Sequence, residues 1–304
     1  MLSQGWIWIP IVLVAAAAQT VRNAAQKNLT QSAGTLAATS VRFVYGLPFA
    51  LVALAAVYAV PATPLPTPNV RFFAAVAGGA IAQLVATALL LAAMERRSFI
   101  VAVAYSKTEV LQVALFSSLL LGEHVSLLSG AAIVLASIGL ATLSAPAAGR
   151  SADFAGGWLS PAAWLGIGSG AGFALSAVGF RAAALSLGPL PAWQAAAYAL
   201  VWAQAMQTSM SVAALAWREP DSLRLIVREW RVSTLAGAFG ALASFAWFTA
   251  FALRNAADVR TLALVEVLYG YLVSRRIFAE RISRRETLGI ALLVLGIAAI
   301  SAQW

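Results

Sequence analysis

The chain of 304 residues contains no cysteine, which excludes disulfides, thiolate metal sites and cysteine nucleophiles. Histidine occurs once, at His124, so an imidazole metal site lacks a second ligand of its kind. Charge is scarce as well: 10% of the residues are charged and 11 are acidic, against about 25% charged in a typical soluble domain. No GxxxxGKS or GxxxxGKT pattern occurs, which removes a P-loop and direct use of ATP. No hydrophilic stretch is long enough for a separate soluble domain. What the chain has in excess is apolar surface, with 62% hydrophobic residues, and the solvent for so much of it must be largely lipid. The net charge of +9 could suit nucleic acid, but the basic residues gather in short loops between apolar runs. That pattern reports membrane orientation. The expected partners are therefore the lipid bilayer and a small-molecule substrate, with no nucleic acid, no metal and no cofactor.

A helix needs about 20 mostly apolar residues to cross the hydrocarbon. Ten segments qualify, near 6–24, 33–59, 70–94, 98–120, 126–145, 161–184, 191–217, 231–253, 258–274 and 286–303. The breaks between them are chemical: "PATPLPTPNV" is proline-rich, "SAPAAGRSADFAGG" is small and polar, and "SLGPLP" stops a helix. The N-terminal "MLSQGWIWIP" has no positive n-region and reads as a retained first helix. Lys27, Arg96, Arg97, Arg150, Arg218, Arg224, Arg228, Arg231 and the run from Arg275 to Arg285 fall in loops on one side, with only Arg71, Arg254 and Arg260 opposite. The positive-inside rule then places both termini outside the cytoplasm, for an integral protein of the bacterial cytoplasmic (inner) membrane.

One constant shift in register superposes Glu109 on Glu266, Glu123 on Glu280, Gly139 on Gly296 and Ser144 on Ser301. Apolar coincidences are cheap in such a chain, whereas two glutamate pairs drawn from 11 acidic residues are not. The repeat unit therefore holds five helices, and an odd number makes the second copy enter the membrane from the opposite face. The expected fold is an all-α membrane protein of ten transmembrane helices in two inverted five-helix repeats, residues 1–145 and 161–304, joined by a loop at 146–160. Inverted repeats place binding sites near the bilayer midplane between the copies.

Each repeat closes on two helices and a tight turn, "LLLGEHVSLLSGAAIVLASIGLATLS" and "RRIFAERISRRETLGIALLVLGIAAIS". These hairpins resemble the C-terminal hairpin of EamA-type repeats in the drug/metabolite transporter superfamily, and the five-plus-five plan is similar to that of ten-helix exporters of aromatic and other amino acids. In that family a Glu-Pro step lies upstream of the hairpin turn. Glu109 and Glu266 stand in the Glu place, but Val110 and Val267 replace the proline in both halves. Several members of the family keep their termini in the cytoplasm, opposite to the loop count here.

Glu109 and Glu266 lie halfway along spans four and nine, where an ionisable group costs at least ~2.5 kcal/mol and marks a functional site with a partner. Helical spacing puts Tyr105 and Gln112 on the Glu109 face, while Lys107 must reach another helix, water or a ligand. Two readings stand. Lys107 attracts a substrate carboxylate while a glutamate holds an ammonium group or a coupling proton, or a buried Lys–Glu pair locks two helices together. Gln83 and Thr87 on span three, Ser244 and Trp247 on span eight, Gln19 on span one, and Ser169 and Ser176 on span six are secondary candidates, each equally suited to bonding neighbouring helices. Glu123 and Glu280 are expected to cap helices, Arg22 and Arg181 to snorkel, and Trp6, Trp8, Trp217, Trp230 and Trp304 to anchor span ends at the interface.

The functional expectation is a secondary transporter, an exporter of small organic solutes. The resemblance implies amino acids, aromatic ones included; export of other drugs or metabolites is the alternative within the class. An intramembrane enzyme acting on lipid or isoprenoid phosphates would need His, Asp or Lys clustered near one face, whereas the acidic groups here pair by symmetry at the centre. A channel would assemble like residues around an oligomer axis, whereas a five-plus-five chain encloses its own pathway, so a monomer suffices.

Overall fold

Hydrophobic runs of this length become helices because only a helix satisfies every backbone polar group within lipid. The computed structural model describes residues 4–59, 64–96, 99–144, 160–269 and 284–302. It is 89% helical, with no strand among the described residues. The helices are α1 (Trp8–Val44), α2 (Gly46–Ala59), α3 (Val70–Arg96), α4 (Phe99–Ser106), α5 (Glu109–Leu121), α6 (Leu127–Ser144), α7 (Pro161–Ser186), α8 (Ala192–Arg218), α9 (Pro220–Arg228), α10 (Trp230–Leu253), α11 (Ala256–Leu262), α12 (described over 265–269) and α13 (Arg284–Ser301). Trp8–Ala59, Val70–Arg96, Pro161–Ser186 and Trp230–Leu253 are each long and apolar enough to cross a bilayer on those criteria alone. The protein is an all-α membrane protein.

The remaining crossings are hidden by how the helices are divided. α1 holds two spans, because Gly34 (φ 80°, ψ 170°) reverses the chain inside it. Only glycine enters that backbone region without strain. Span four is split into α4 and α5 at Lys107–Thr108, and span nine into α11 and α12 at Ala263–Leu264. The two breaks coincide to within one residue under the repeat shift, and neither contains proline. At both, the helix tightens from i→i−4 to i→i−3 bonding: the Val110 amide donates to Lys107 O at 3.2 Å, and the Val267 amide to Leu264 O at 3.0 Å. The valines that replace the family's proline thus spend their N–H groups within the break.

Helix packing repeats the same symmetry. α3 lies along α7, α10 lies along α1, and α6 lies along α13; exchanging the two halves turns the first contact into the second and the third into itself. The α6–α13 contact shows this residue by residue. A Cβ on Gly139 would stand 2.5 Å from Leu293 N and 2.8 Å from Gly289 O, while a Cβ on Gly296 would stand 2.8 Å from Ala136 N and 2.9 Å from Ala132 O. Under the repeat shift these are one contact written twice. The contacts between α6 and α13 are thus reciprocal under that shift. Small residues allow this close approach, which supplies the packing that hydrophobicity cannot supply within lipid. The glycine-rich run of span six has the same use, since Gly170 on α7 faces Ser106 O, Glu109 N and Thr108 Oγ1 and seats the span-four break.

Three local expectations change. The first helix continues past residue 24 to the Gly34 turn, which puts Arg22 mid-helix and 1% exposed. The polar stretch after it stays helical because its side chains face protein: Asn23 bonds Glu266, and Gln26 Nε2 donates to Ala38 O at 2.7 Å. Residues 220–228, expected as loop, form the amphipathic helix α9, with Ile226 buried and Arg224 exposed beside Asp221. Trp8 is buried rather than interfacial, whereas Trp6, Trp217 and Trp230 are exposed; Trp304 lies outside the described residues.

Candidate functional site: a buried charge cluster between the halves

The two helix breaks bring the midplane glutamates to the boundary between halves, and each finds its cation on the other half. Lys107 Nζ lies 2.6 Å from Glu266 Oε2, and Arg260 Nε lies 2.8 Å from Glu109 Oε1. All four side chains are at most 5% exposed. Lys107 and Glu109, two positions apart in sequence, therefore belong to different pairs. Glu266 also accepts from Gln19 Nε2 at 2.8 Å and from Asn23 Nδ2 at 3.2 Å, so three donors converge on one carboxylate. Trp247 Nε1 donates to Gln19 Oε1 at 3.0 Å and fixes which end of that amide faces Glu266. The faces of Trp247 and Phe251 lie 4.7 and 5.1 Å from the Arg260 guanidinium carbon, a cation–π support for a charge removed from water.

Two more arginines join the cluster. Arg22 donates through Nε and Nη2 to Asn23 Oδ1 at 3.2 and 2.7 Å. Arg42 donates through Nη1 to Thr87 Oγ1 at 3.0 Å and lies 4.8 Å over the Phe43 ring. Both are 1% exposed, and both side chains meet at Gly240 of α10, where an added Cβ would lie 3.4 Å from Arg22 Cδ and from Arg42 Cβ.

The other expected residues take supporting places. Tyr105 is buried, its Cβ against Gly166 of α7. Gln112 Nε2 donates to Ile167 O at 3.4 Å. Gln83 accepts from Gln207 Nε2 at 2.9 Å, which ties α3 to α8. Ser244 is buried on α10. Ser169 donates to Ala86 O and Ser176 to Phe173 O, both backbone contacts. The sequence reading missed Arg42, Arg260 and Asn23 as cluster members, missed Gln207 as the partner of Gln83, and gave Arg22 a headgroup role. The usable signal for Arg260 was the Asn255-x-x-Asp258 cap, in which Asn255 Oδ1 accepts from the Asp258 amide at 2.8 Å. It starts α11 at Ala256 and carries Arg260 inside the span.

A second polar cluster lies at the end of the molecule that carries the α5–α6 turn. Glu123 is not a helix cap; Ser126 Oγ serves instead, accepting from the Ser129 amide at 3.0 Å. The Glu123 carboxylate accepts from Ser117 and pairs with Arg181 of α7. Arg181 does not snorkel: its Nη1 donates to Phe251 O and Arg254 O at 2.5 and 2.6 Å. Beside it Arg254 pairs with Asp258 at 2.9 Å, and Ser129 Oγ donates to Asp258 Oδ1 at 3.0 Å. This network straps the first half to the second at one end. Glu280, its repeat-related partner, lies outside the described residues.

Broken helices that carry charge at the boundary of inverted repeats are the construction of a membrane transporter for small solutes. Residues 6–145, just under half of the chain, match the model of the EamA-like transporter family. One solved crystal structure is similar with a TM-score of 0.69 and 17% sequence identity, over 96% of this chain and 94% of that one; at that identity the likeness speaks to fold alone. No curated protein matches the chain.

Proposed function

We propose that the protein is a secondary transporter that exports a small organic solute, foremost amino acids, across the bacterial cytoplasmic membrane by alternating access. The observation that carries this reading is the reciprocal pairing at the helix breaks: Lys107 with Glu266 and Arg260 with Glu109. Every ion pair in the centre joins one half to the other, so rocking of the halves must loosen charges that a solute with its own carboxylate and ammonium can satisfy. The strap at Glu123, Arg181, Arg254 and Asp258 ties the halves by ion pairs at its end, which fits a state closed on that side. Gln19, Asn23, Gln83, Tyr105, Gln112, Ser244 and Trp247 supply the polar and aromatic lining of the route. By the loop charges, the strapped end and both termini face away from the cytoplasm, and one chain is sufficient. A glutamate freed from its cation is also the group that would carry a coupling proton.

The test uses the purified chain in vesicles loaded with labelled amino acids and other small metabolites. Exchange is followed with and without a pH gradient. Saturable flux is expected for at least one solute, reduced at least tenfold in Glu266→Gln and Lys107→Met. No flux of any solute, or unimpaired flux in both variants when they fold normally, rejects the proposal.

A further inference from the structure

The central cluster does not balance its charge. Among the described residues, Arg22, Arg42, Lys107 and Arg260 face only Glu109 and Glu266, and all six side chains are at most 5% exposed. The two ion pairs use Lys107, Arg260 and both carboxylates. Among the described residues no carboxylate lies within ion-pair distance of Arg22 or Arg42. Arginine stays protonated in proteins, so lowering its pKa to neutrality is not an available escape. Arg42 is the sharper case. Its Nε is buried with no hydrogen-bond partner, and its Nη1 meets only a neutral hydroxyl. Arg22 spends two donors on one amide oxygen, and that amide's other end is committed to Glu266. Both guanidinium groups sit on stems that cross Gly240, and Arg42 lies within electrostatic range of Arg22 and of Arg260. Two like charges held together in a dry site repel one another and have forgone their hydration. Structural arginines in such places are paired at close range; Arg22 feels Glu266 only from beyond ion-pair distance, and Arg42 has arginines rather than a carboxylate as its charged neighbours.

We infer that Arg22 and Arg42 form an oxyanion subsite, and that the solute this protein carries is a net anion presenting a carboxylate or phosphate group to the two guanidiniums. The inference rests on the transport reading and narrows its substrate class from amino acids in general to negatively charged solutes, acidic amino acids among them. A guanidinium offers two parallel N–H donors to two oxygens of one anion, which suits both groups. Gly240 matters because a larger residue there would occupy the space where the two stems converge.

The experiment measures binding apart from transport. The full chain in detergent micelles or nanodiscs is titrated with glutamate, succinate, glycerol phosphate and inorganic phosphate, with chloride at equal ionic strength and leucine as controls, by calorimetry and by thermal unfolding. At least one of these oxyanions is expected to bind and raise the unfolding midpoint where chloride and leucine do not; whether the dicarboxylates or the phosphates do so identifies the group. Arg42→Gln and Arg22→Gln should each weaken that binding at least tenfold. Arg42→Gln should leave the ligand-free midpoint unchanged or higher, since it removes an uncompensated buried charge. Arg42→Lys should retain part of the binding. Absence of any oxyanion-specific shift, or a shift that survives both glutamine variants, overturns the inference. So does a large drop in the ligand-free midpoint of Arg42→Gln with anion binding intact. Vesicle exchange separates the two proposals: saturable flux of leucine that excess oxyanion leaves untouched would uphold transport and sink the anion subsite.

Discussion

Lys107→Met tests the central pairing most directly. At 2.6 Å, the gross attraction between the ammonium and Glu266 is about 6 kcal/mol with an effective dielectric constant of about 20. Desolvation of the two ions takes back most of that, several kcal/mol for each, so the intact pair adds little net stability. Removing one partner is different, because the other charge stays buried, and that typically costs about 3–5 kcal/mol. Glu266 keeps Gln19 and Asn23 as donors, which places the expected loss near the lower end, about 3 kcal/mol. Neutralising the partner as well, in Lys107→Met with Glu266→Gln, should return at least half of that loss, because neither group is then an orphaned charge. Thermal unfolding of the four proteins in one detergent closes the cycle. Vesicle exchange run beside it should show that the double variant, although restored in stability, remains inactive. A single variant that loses under ~1 kcal/mol refutes the reasoning. A double variant whose loss equals the sum of the single losses does so as well.

The other predictions concern packing, the helix breaks and the strap. Gly139→Val and Gly296→Val should reduce thermal stability by similar amounts, about 2–3 kcal/mol each, since each pushes a side chain into the facing backbone of α6 or α13; a large loss in one and none in the other would contradict the symmetry. Val110→Pro should be tolerated, with a loss of ~1 kcal/mol or less, because the lost N–H serves only the 3.2 Å bond inside the break, whereas Val113→Pro within α5 should cost about 3 kcal/mol or more. Arg181→Gln should loosen the strapped end. The chain has no cysteine of its own, so a single Ser129→Cys can report this, labelling several-fold faster with a membrane-impermeant thiol reagent in the Arg181→Gln background. Equal labelling rates would remove Arg181 from the strap.

The all-helical membrane fold was legible because hydropathy is a strong signal in an apolar chain. Gly139 and Gly296, matched by sequence alone, meet in the structure as reciprocal contacts. The helix breaks were not legible: their usual sign is proline, and Val110 and Val267 hide them behind ordinary apolar letters. Arg22 and Arg260 were misread for a related reason, and Arg42 was given no role. A linear reading assigns a charge near a polar stretch to the membrane surface, but Asn23 and Gln26 are polar because they bond protein, Glu266 across the halves and Ala38 O within α1. Which carboxylate takes which cation is decided by tertiary packing across the halves, so Lys107 and Glu109 could be located but not partnered.

Reciprocity of the central pairs carries one more consequence. Each half brings one carboxylate and one cation addressed to the other half's carboxylate: Lys107 and Glu109 from the first, Arg260 and Glu266 from the second. Under the repeat shift Lys107 falls on Leu264, so the second half sends its cation from a position one turn earlier. An antiparallel dimer of either half alone would therefore still close both of its pairs, by lysine in one case and by arginine in the other. Each half thus carries, in its own lysine or arginine, the cation that a copy of itself would need.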